Sequence, residues 1–140
     1  MNRNMDTKRP VKVSIESLMD GQSVRQQAEG DLYLKGGRYY LRYNEEDPEM
    51  KGTVTTMKLE ETRIWIARSG SVRSEQTFVV GQRCRGSYET PQGSLELHTV
   101  TSSMSAELSE GLGTVEWSYE LFVQGEPTGV FRLRLTIAER

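Results

Sequence analysis

Apolar and polar residues alternate along most of the chain, and glycine or proline interrupts the alternation about every ten residues. A period of two is typical of β-strands that bury one face. The strongest alternation lies in the last two segments, where apolar side chains occupy every second position: Val115, Trp117, Tyr119, Leu121 and Val123, then Phe131, Leu133, Leu135 and Ile137. Residues 125–129 between them contain two glycines and a proline, which predicts a hairpin.

The first half of the chain repeats this organisation. A strand that begins near Val11 is predicted to end at Asp20-Gly21, because this dipeptide suits the positive φ angles of a tight turn. Residues 35–37 predict a second hairpin, which leads into a strand whose alternate positions are Tyr39, Leu41 and Tyr43. This is the clearest hairpin of the first half.

Two short strands are predicted in the middle of the chain, over residues 54–59 and 63–67. In the second of these, Ile64 and Ile66 face one way and Trp65 faces the other. Residues 45–49, which consist of acidic side chains and one proline, are predicted to form a solvated loop before them.

The strand predicted from Ser94 onward changes its parity, since Leu95 and Leu97 are odd-numbered and the later apolar residues are even-numbered. A β-bulge near Thr99 restores one continuous apolar face. For residues 103–110 the pattern also permits one or two helical turns, and we expect strand there.

Eight to ten strands in sequence, without an amphipathic helix between them, predict an antiparallel up-and-down sheet and exclude parallel βαβ folds. A flat sheet of that size exposes its apolar face and both edges, so we expect it to close into a barrel. A β-sandwich is the alternative. The 140 residues fit one domain, predicted over residues 10–140, after a flexible N-terminal segment of residues 1–9.

The strand and turn residues also resemble those of the YwiB-like family of small bacterial proteins. The resemblance covers nearly the whole chain and rests on Gly30 to Leu34, Tyr39 to Tyr43, Ile66 to Gly70, Tyr88 to Gly93 and the hairpin from Trp117 to Ile137. It implies an all-β, calycin-like barrel, the architecture of lipocalins and fatty-acid-binding proteins. It implies no catalytic or binding residue, because no function is established for that family.

Composition limits the chemistry. One cysteine and one histidine exclude a disulfide framework and any metal site built from several of these residues, so no metal and no cofactor is expected. A net charge of −2 argues against nucleic-acid and membrane partners. The polar first ten residues do not resemble a signal peptide, and a cytoplasmic location is expected.

Cys84 and His98 are the one pair that could form a thiolate–imidazole dyad. If Thr90 pairs with Gly93, the two side chains lie on opposite faces of their hairpin. If Thr90 pairs with Ser94, they become diagonal neighbours on one face. We expect no enzyme activity, with Cys84 as a wall residue and His98 as an ordinary strand residue.

Arginine is unusually frequent, with thirteen residues against five lysines. Its planar guanidinium suits bidentate binding of a carboxylate or phosphate. In the barrel superfamily that the chain resembles, an inward arginine with a tyrosine partner commonly holds an acidic head group. Arg132 and Arg134 are candidates, although their alternation with Phe131 and Leu133 also fits a solvent-facing, cross-strand-paired role.

The predicted function is the binding of a small ligand inside the barrel. This ligand is apolar or amphipathic, and in one version of the prediction it is also anionic. Ten strands enclose more space than the eight whose side chains just fill the interior, and Trp117 is expected to point inward. The interior is then either open to a ligand or filled by Trp117, Phe131, Tyr39 and Leu133 as core residues. The candidate ligand-binding residues are Tyr39, Leu41, Tyr43, Trp117, Tyr119, Phe131, Leu133, Arg132 and Arg134. The alternative is an interaction module that works as a homo-oligomer through Phe122 or Trp65, and the chain is expected to be a monomer or homodimer.

Overall fold

The computed structural model describes residues 7–140, which form ten β-strands and one turn of 3-10 helix. The elements are β1 (Thr7–Met19), β2 (Gln22–Lys35), β3 (Arg38–Asn44), the 3-10 helix (Pro48–Met50), β4 (Val54–Leu59), β5 (Arg63–Ser69), β6 (Arg73–Val79), β7 (Arg83–Thr90), β8 (Gly93–Ser109), β9 (Leu112–Val123) and β10 (Glu126–Glu139).

Each strand pairs with its neighbour in sequence, and β1 pairs antiparallel with β10 to close the barrel. The predicted up-and-down antiparallel barrel is confirmed, and the sandwich alternative is wrong. Closure removes both sheet edges over the paired length, which is the physical reason for preferring it. No helix among residues 7–140 is long and apolar enough to cross a membrane.

β1 begins at Thr7, three residues before the expected start of the barrel domain. Lys8 and Arg9 pair with Tyr33 and Leu32 of β2, and Arg9 Nη1 lies 3.9 Å from a carboxylate oxygen of Glu139. Residues 7–9 therefore belong to the barrel wall. The expectation of a flexible segment over residues 1–6 lies outside the described residues.

The long strand β8 resolves two open points. It remains a strand to Ser109, so the helical alternative for residues 103–110 is wrong. Its pairing with β9 shifts between Thr101 and Ser103, which places the predicted bulge slightly later than Thr99. The bulge brings Thr99 and Met104 to the same face, as the change of parity requires.

The middle of the barrel is filled with its own side chains. Trp117 points inward as predicted and is only 2% exposed, and Phe78 lies beside it with ring centroids 5.7 Å apart. Phe78 also packs on Tyr119 at 4.7 Å, and Tyr119 stacks on Phe131 at 5.5 Å. A central cavity would leave such side chains uncovered, so of the two alternatives, an open and a filled interior, the structure has the filled one at this level of the barrel.

One end of the barrel is closed by the turn between β8 and β9. A Cβ atom added to Gly111 in this turn would lie 2.6 Å from Leu32 and 2.7 Å from Tyr39, so the turn rests directly on these side chains. Gly111 has a φ of 82°, which favours glycine for a second reason. We call this the closed end, and we call the opposite end, where β3 stops at Asn44, the open end.

Candidate ligand site at the open end of the barrel

The wall of the barrel has a gap beside the first half of β2. β2 pairs with β3 only from Gly30 onward, because β3 ends shortly after Tyr43, the partner of Gly30. On the side away from β1, residues 24–28 of β2 therefore lie opposite residues 45–48 of the loop after β3 and pair with no strand. A cleft of about 380 Å³ lies between that part of β2 and the loop.

The cleft has an apolar inner side and a polar outer rim. Its inner side is formed by Val13 and Ile15 of β1, by Ala28 of β2 and by Tyr43. Its rim carries Gln26 and Gln27 of β2 and four loop residues, namely Glu45, Glu46, Asp47 and Pro48. A volume of several hundred Å³ with mixed lining is typical of small-molecule sites.

The loop that borders the cleft is anchored at both ends. The Glu45 amide donates to the carbonyl of Thr53 at 2.9 Å, which closes the loop at its base. The hydroxyl groups of Thr53 and Ser71 are 2.8 Å apart, which ties the loop to the β5–β6 turn. Asp47 caps the 3-10 helix by accepting a hydrogen bond from the Glu49 amide at 2.9 Å. The rim of the cleft is thus fixed by the fold.

An arginine enters the barrel beside this loop. Arg68 has the same parity on β5 as Ile64 and Ile66, which are buried, so its side chain points inward. Its Nε atom lies 3.5 Å from a carboxylate oxygen of Glu45, whose side chain is only 7% exposed. The same oxygen accepts a short hydrogen bond from the Thr55 hydroxyl. Among residues 7–140, Arg68 makes no other ion pair or side-chain hydrogen bond.

Two tyrosines lie within electrostatic range of this arginine. Burial raises the pKa of Tyr43 strongly, and the Glu45 carboxylate raises it further, while Arg68 acts in the opposite direction. Burial raises the pKa of Tyr119 to about 12, and Arg68 again opposes the shift. Both phenols are therefore neutral hydrogen-bond donors at neutral pH.

The interior carries polar atoms without partners. Within the described part of the chain, the Tyr43 hydroxyl, the Thr101 hydroxyl and the indole nitrogen of Trp117 are buried and make no hydrogen bond. Thr101 is the cross-strand partner of Tyr119, and Trp117 lies on the same face of β9, two residues before Tyr119. An indole N–H can only donate, so this face supplies donors that lack an acceptor.

The nine predicted ligand-binding residues separate into four groups. Tyr43 lines the cleft, and Tyr39 lies at the closed end beneath Gly111. Five belong to the packed interior, namely Leu41, Trp117, Tyr119, Phe131 and Leu133. Arg132 and Arg134 are exposed on the outer face, and the Nε atom of Arg134 lies 3.2 Å from Glu116. Their prediction as inward ligands was wrong, because the apolar residues that alternate with them take the inner face.

The sequence analysis missed Arg68, Glu45 and Thr55. The parity of Arg68 with Ile64 and Ile66 indicates an inward side chain. No orientation was predicted for Arg68, because the predicted strand ended at Ala67, just before it. The burial of Glu45 has no equivalent signal in the sequence. It depends on the contact between the loop and β5, which are separated by many residues.

The register of the β7–β8 hairpin separates the two candidate catalytic residues. Thr90 pairs with Gly93, so Cys84 shares the inner face with Thr99 while His98 faces outward beside Arg85. On the outer face, His98 Nε2 lies 2.6 Å from Glu96, and Arg83 Nε donates to His98 Nδ1 at 3.3 Å. A direct Cys84–His98 dyad is therefore excluded by geometry.

Arg83, which contacts His98 on this outer face, also contacts Phe122, the residue predicted to form an oligomer surface. The guanidinium carbon of Arg83 lies 4.5 Å from the centroid of the Phe122 ring. Phe122 is thus covered by a cation instead of forming an open apolar patch. A homo-oligomer built on Phe122 stays a prediction without support from this surface.

Comparisons with known proteins agree with the barrel. The sequence profile of the family described as a domain of unknown function, DUF1934, matches residues 11–135. The chain is 28% identical over 136 residues to the uncharacterized β-barrel protein YwiB of Bacillus subtilis, covering 94% of this chain and 95% of that one. The crystal structure of the ywiB protein from Bacillus subtilis superimposes with a TM-score of 0.81 at 26% identity, covering 97% of this chain and 96% of that chain.

Proposed function

The chain belongs to the DUF1934 family of β-barrel proteins, and from the geometry of its open end we propose that it binds a small amphipathic carboxylic acid there. The observation that carries the proposal is the inward Arg68, whose terminal nitrogens have no partner among residues 7–140. The ligand lies at the side of the barrel interior and not in its centre. The expected cytoplasmic location stays a prediction.

The apolar part of the ligand fits the inner side of the cleft. Val13, Ile15 and Ala28 present aliphatic surface there, and the exposed Val24 continues this surface toward the solvent. Covering such surface contributes about 25 cal/mol per Å² of apolar area removed from water. The remaining lining is polar, which limits the apolar part to one unbranched chain of medium length or a single ring.

The carboxylate of the ligand is placed beside Glu45, which borders the cleft and contacts Arg68. The Glu45 carboxylate interacts with Arg68 and Thr55, and it lies close enough to Tyr43 to raise the pKa of that phenol. A second carboxylate can bind Arg68 through its terminal nitrogens while Tyr43 donates its free hydroxyl proton. Because Glu45 repels such a ligand, we expect its charge to weaken binding.

Fluorescence titration of a Trp65→Phe protein tests the proposal, since Trp117 is then the only indole. Decanoate, decylamine and decanol share one tail length and differ in head group. We expect decanoate to bind most tightly of the three. Its fluorescence change should saturate at a ligand concentration no higher than roughly millimolar. Arg68→Gln should weaken decanoate binding by about tenfold or more, because it removes a hydrogen bond to a charged group. Glu45→Gln should strengthen it.

Arg134→Gln is the matched control, because Arg134 faces solvent on the outer surface. This substitution should leave decanoate binding unchanged. Tyr43→Phe is a milder variant, which removes the unpartnered hydroxyl and keeps the ring. Equal affinity for the three head groups, or an Arg68→Gln protein that folds and binds decanoate like the parent, would contradict the proposal.

A further inference from the structure

Aromatic and basic side chains gather on the outer surface of β2 to β5. The cross-strand register places Tyr33 beside Tyr40, Tyr40 beside Lys58, and Lys58 beside Trp65, in one row across four strands. The row spans three strand intervals, or roughly 14 Å at about 4.8 Å each. We call this surface the basic aromatic face, and it comprises Tyr33, Lys35, Arg38, Tyr40, Arg42, Lys58, Arg63 and Trp65.

The charge of this face is opposite to that of the chain. The row and the rows on either side of it hold five basic side chains and two acidic ones, Asp31 and Glu60, giving +3 in a protein of net charge −2. Glu60 is engaged by Arg38 at 3.4 Å, and Asp31 lies 3.9 Å from both Lys8 and Arg140. Among residues 7–140, the other four cations of the face have no ion-pair partner.

The rings border two shallow depressions that lie side by side. One, of about 590 Å³, lies between Tyr40 and Trp65, and the other, of about 700 Å³, lies between Tyr33 and Tyr40. Both depressions include Arg38. The Lys58 ammonium lies 6.0 Å from the centroid of the Tyr40 ring, and Lys58 stands between Tyr40 and Trp65 in the row.

We propose that the basic aromatic face binds single-stranded nucleic acid. Its cations match a phosphate backbone, and its three rings offer stacking surfaces to unpaired bases, a combination typical of single-strand-binding sheets. A duplex is a poorer partner because its bases are already stacked. The net charge of −2 for the whole chain does not exclude this partner, because the fold concentrates cations on one face.

A membrane surface is the less favoured occupant. Binding to the interface of an anionic bilayer needs projecting apolar side chains as well as cations. The large exposed aliphatic residues lie on other parts of the barrel, namely Leu18, Val24, Val80, Leu95 and Val130. The row beside the rings consists of Asp31, Arg42, Thr56 and Ala67, which project no large apolar side chain.

Fluorescence anisotropy with a labelled mixed-sequence RNA of about 12 nucleotides tests the inference. At low salt we expect saturable binding with a dissociation constant below about 100 μM. Trp65→Ala should weaken binding by about tenfold, whereas Trp65→Phe, which keeps a ring, should weaken it less. Arg42→Gln combined with Arg63→Gln should lower the magnitude of the log–log salt slope by about 1.4, since each contact to single-stranded phosphate contributes about 0.7.

Arg132→Gln combined with Arg134→Gln is the control, because it removes the same charge from the outer face of β10. It should leave RNA binding close to that of the parent. Equal weakening by both arginine pairs, or no difference between Trp65→Ala and Trp65→Phe, would overturn the inference. So would binding to phosphatidylglycerol vesicles without any binding to RNA.

Discussion

Raising the pH should unfold the protein in part through its buried tyrosines. The pKa of Tyr119 is raised from 10.0 to about 12 in the fold because burial disfavours the phenolate. A raised pKa means that the stabilising contribution is complete below about pH 10, where both states are protonated, and is lost as the pH rises toward about 12. Tyr43 shifts in the same direction.

The size of the effect follows from the shift of Tyr119. Two pKa units at about 1.4 kcal/mol each give a loss of about 3 kcal/mol in the free energy of unfolding. Tyr119 is only 7% exposed, so solvent screening reduces this value little. A typical domain has only about 5–15 kcal/mol of stability, so the loss is large.

Urea unfolding followed by circular dichroism at about pH 9 and about pH 12 measures this loss. Tyr119→Phe should lose less stability than the parent across that interval, by about 2 kcal/mol, because phenylalanine does not ionise and the loss of the parent is still incomplete at a pH equal to the folded-state pKa. Tyr33→Phe, on the outer face, is the control for other alkaline effects and should behave like the parent. Parallel pH profiles of Tyr119→Phe and the parent would refute the reasoning.

Three further predictions concern stability and ionisation. Gly30→Ala should lower the free energy of unfolding, measured with urea, by about 1–3 kcal/mol. The added Cβ would lie 2.6 Å from a carbonyl oxygen of β3 and 2.8 Å from the Cβ of Tyr43, and unchanged stability would contradict this. Phe78→Ala should cost about 3–5 kcal/mol in the same assay, and a loss below about 1 kcal/mol would contradict a filled core. The hydrogen bond from His98 lowers the pKa of Glu96, and the nearby charge of Arg85 lowers it further to a smaller extent. His98→Phe should therefore raise the pKa of Glu96 in a carboxyl NMR titration, and an unchanged pKa would refute that cause.

The alternation of side chains was enough to predict the barrel and the orientation of most strands. Trp117 was correctly placed inside, because it shares parity with four other apolar residues of β9. The same rule favoured a solvent-facing position for Arg132 and Arg134, which the structure bears out, and applied to Arg68 it would have placed that side chain inside. The expectation of an inward, anion-binding arginine named Arg132 and Arg134 and did not consider Arg68.

The cleft was not predictable from the alternation. It exists because β2 continues past the end of β3, and the pairing lengths of two strands depend on register and loop path, which a single sequence does not specify. The choice between an open and a filled centre was also left undecided, because strand number alone does not determine how far large rings such as Phe78 and Trp117 reach across the barrel.

The measurement that tests the account most directly is a ¹H–¹⁵N correlation NMR titration of the protein with decanoate. We expect saturable shifts concentrated at Val13, Ala28, Tyr43 and Glu45, which border the cleft, with a matching response of the Arg68 side chain. The amide of Leu41, in the filled interior, should respond much less. Shifts centred on the outer surface, or no saturable shift at up to roughly millimolar decanoate, would contradict a carboxylate-binding site at the open end.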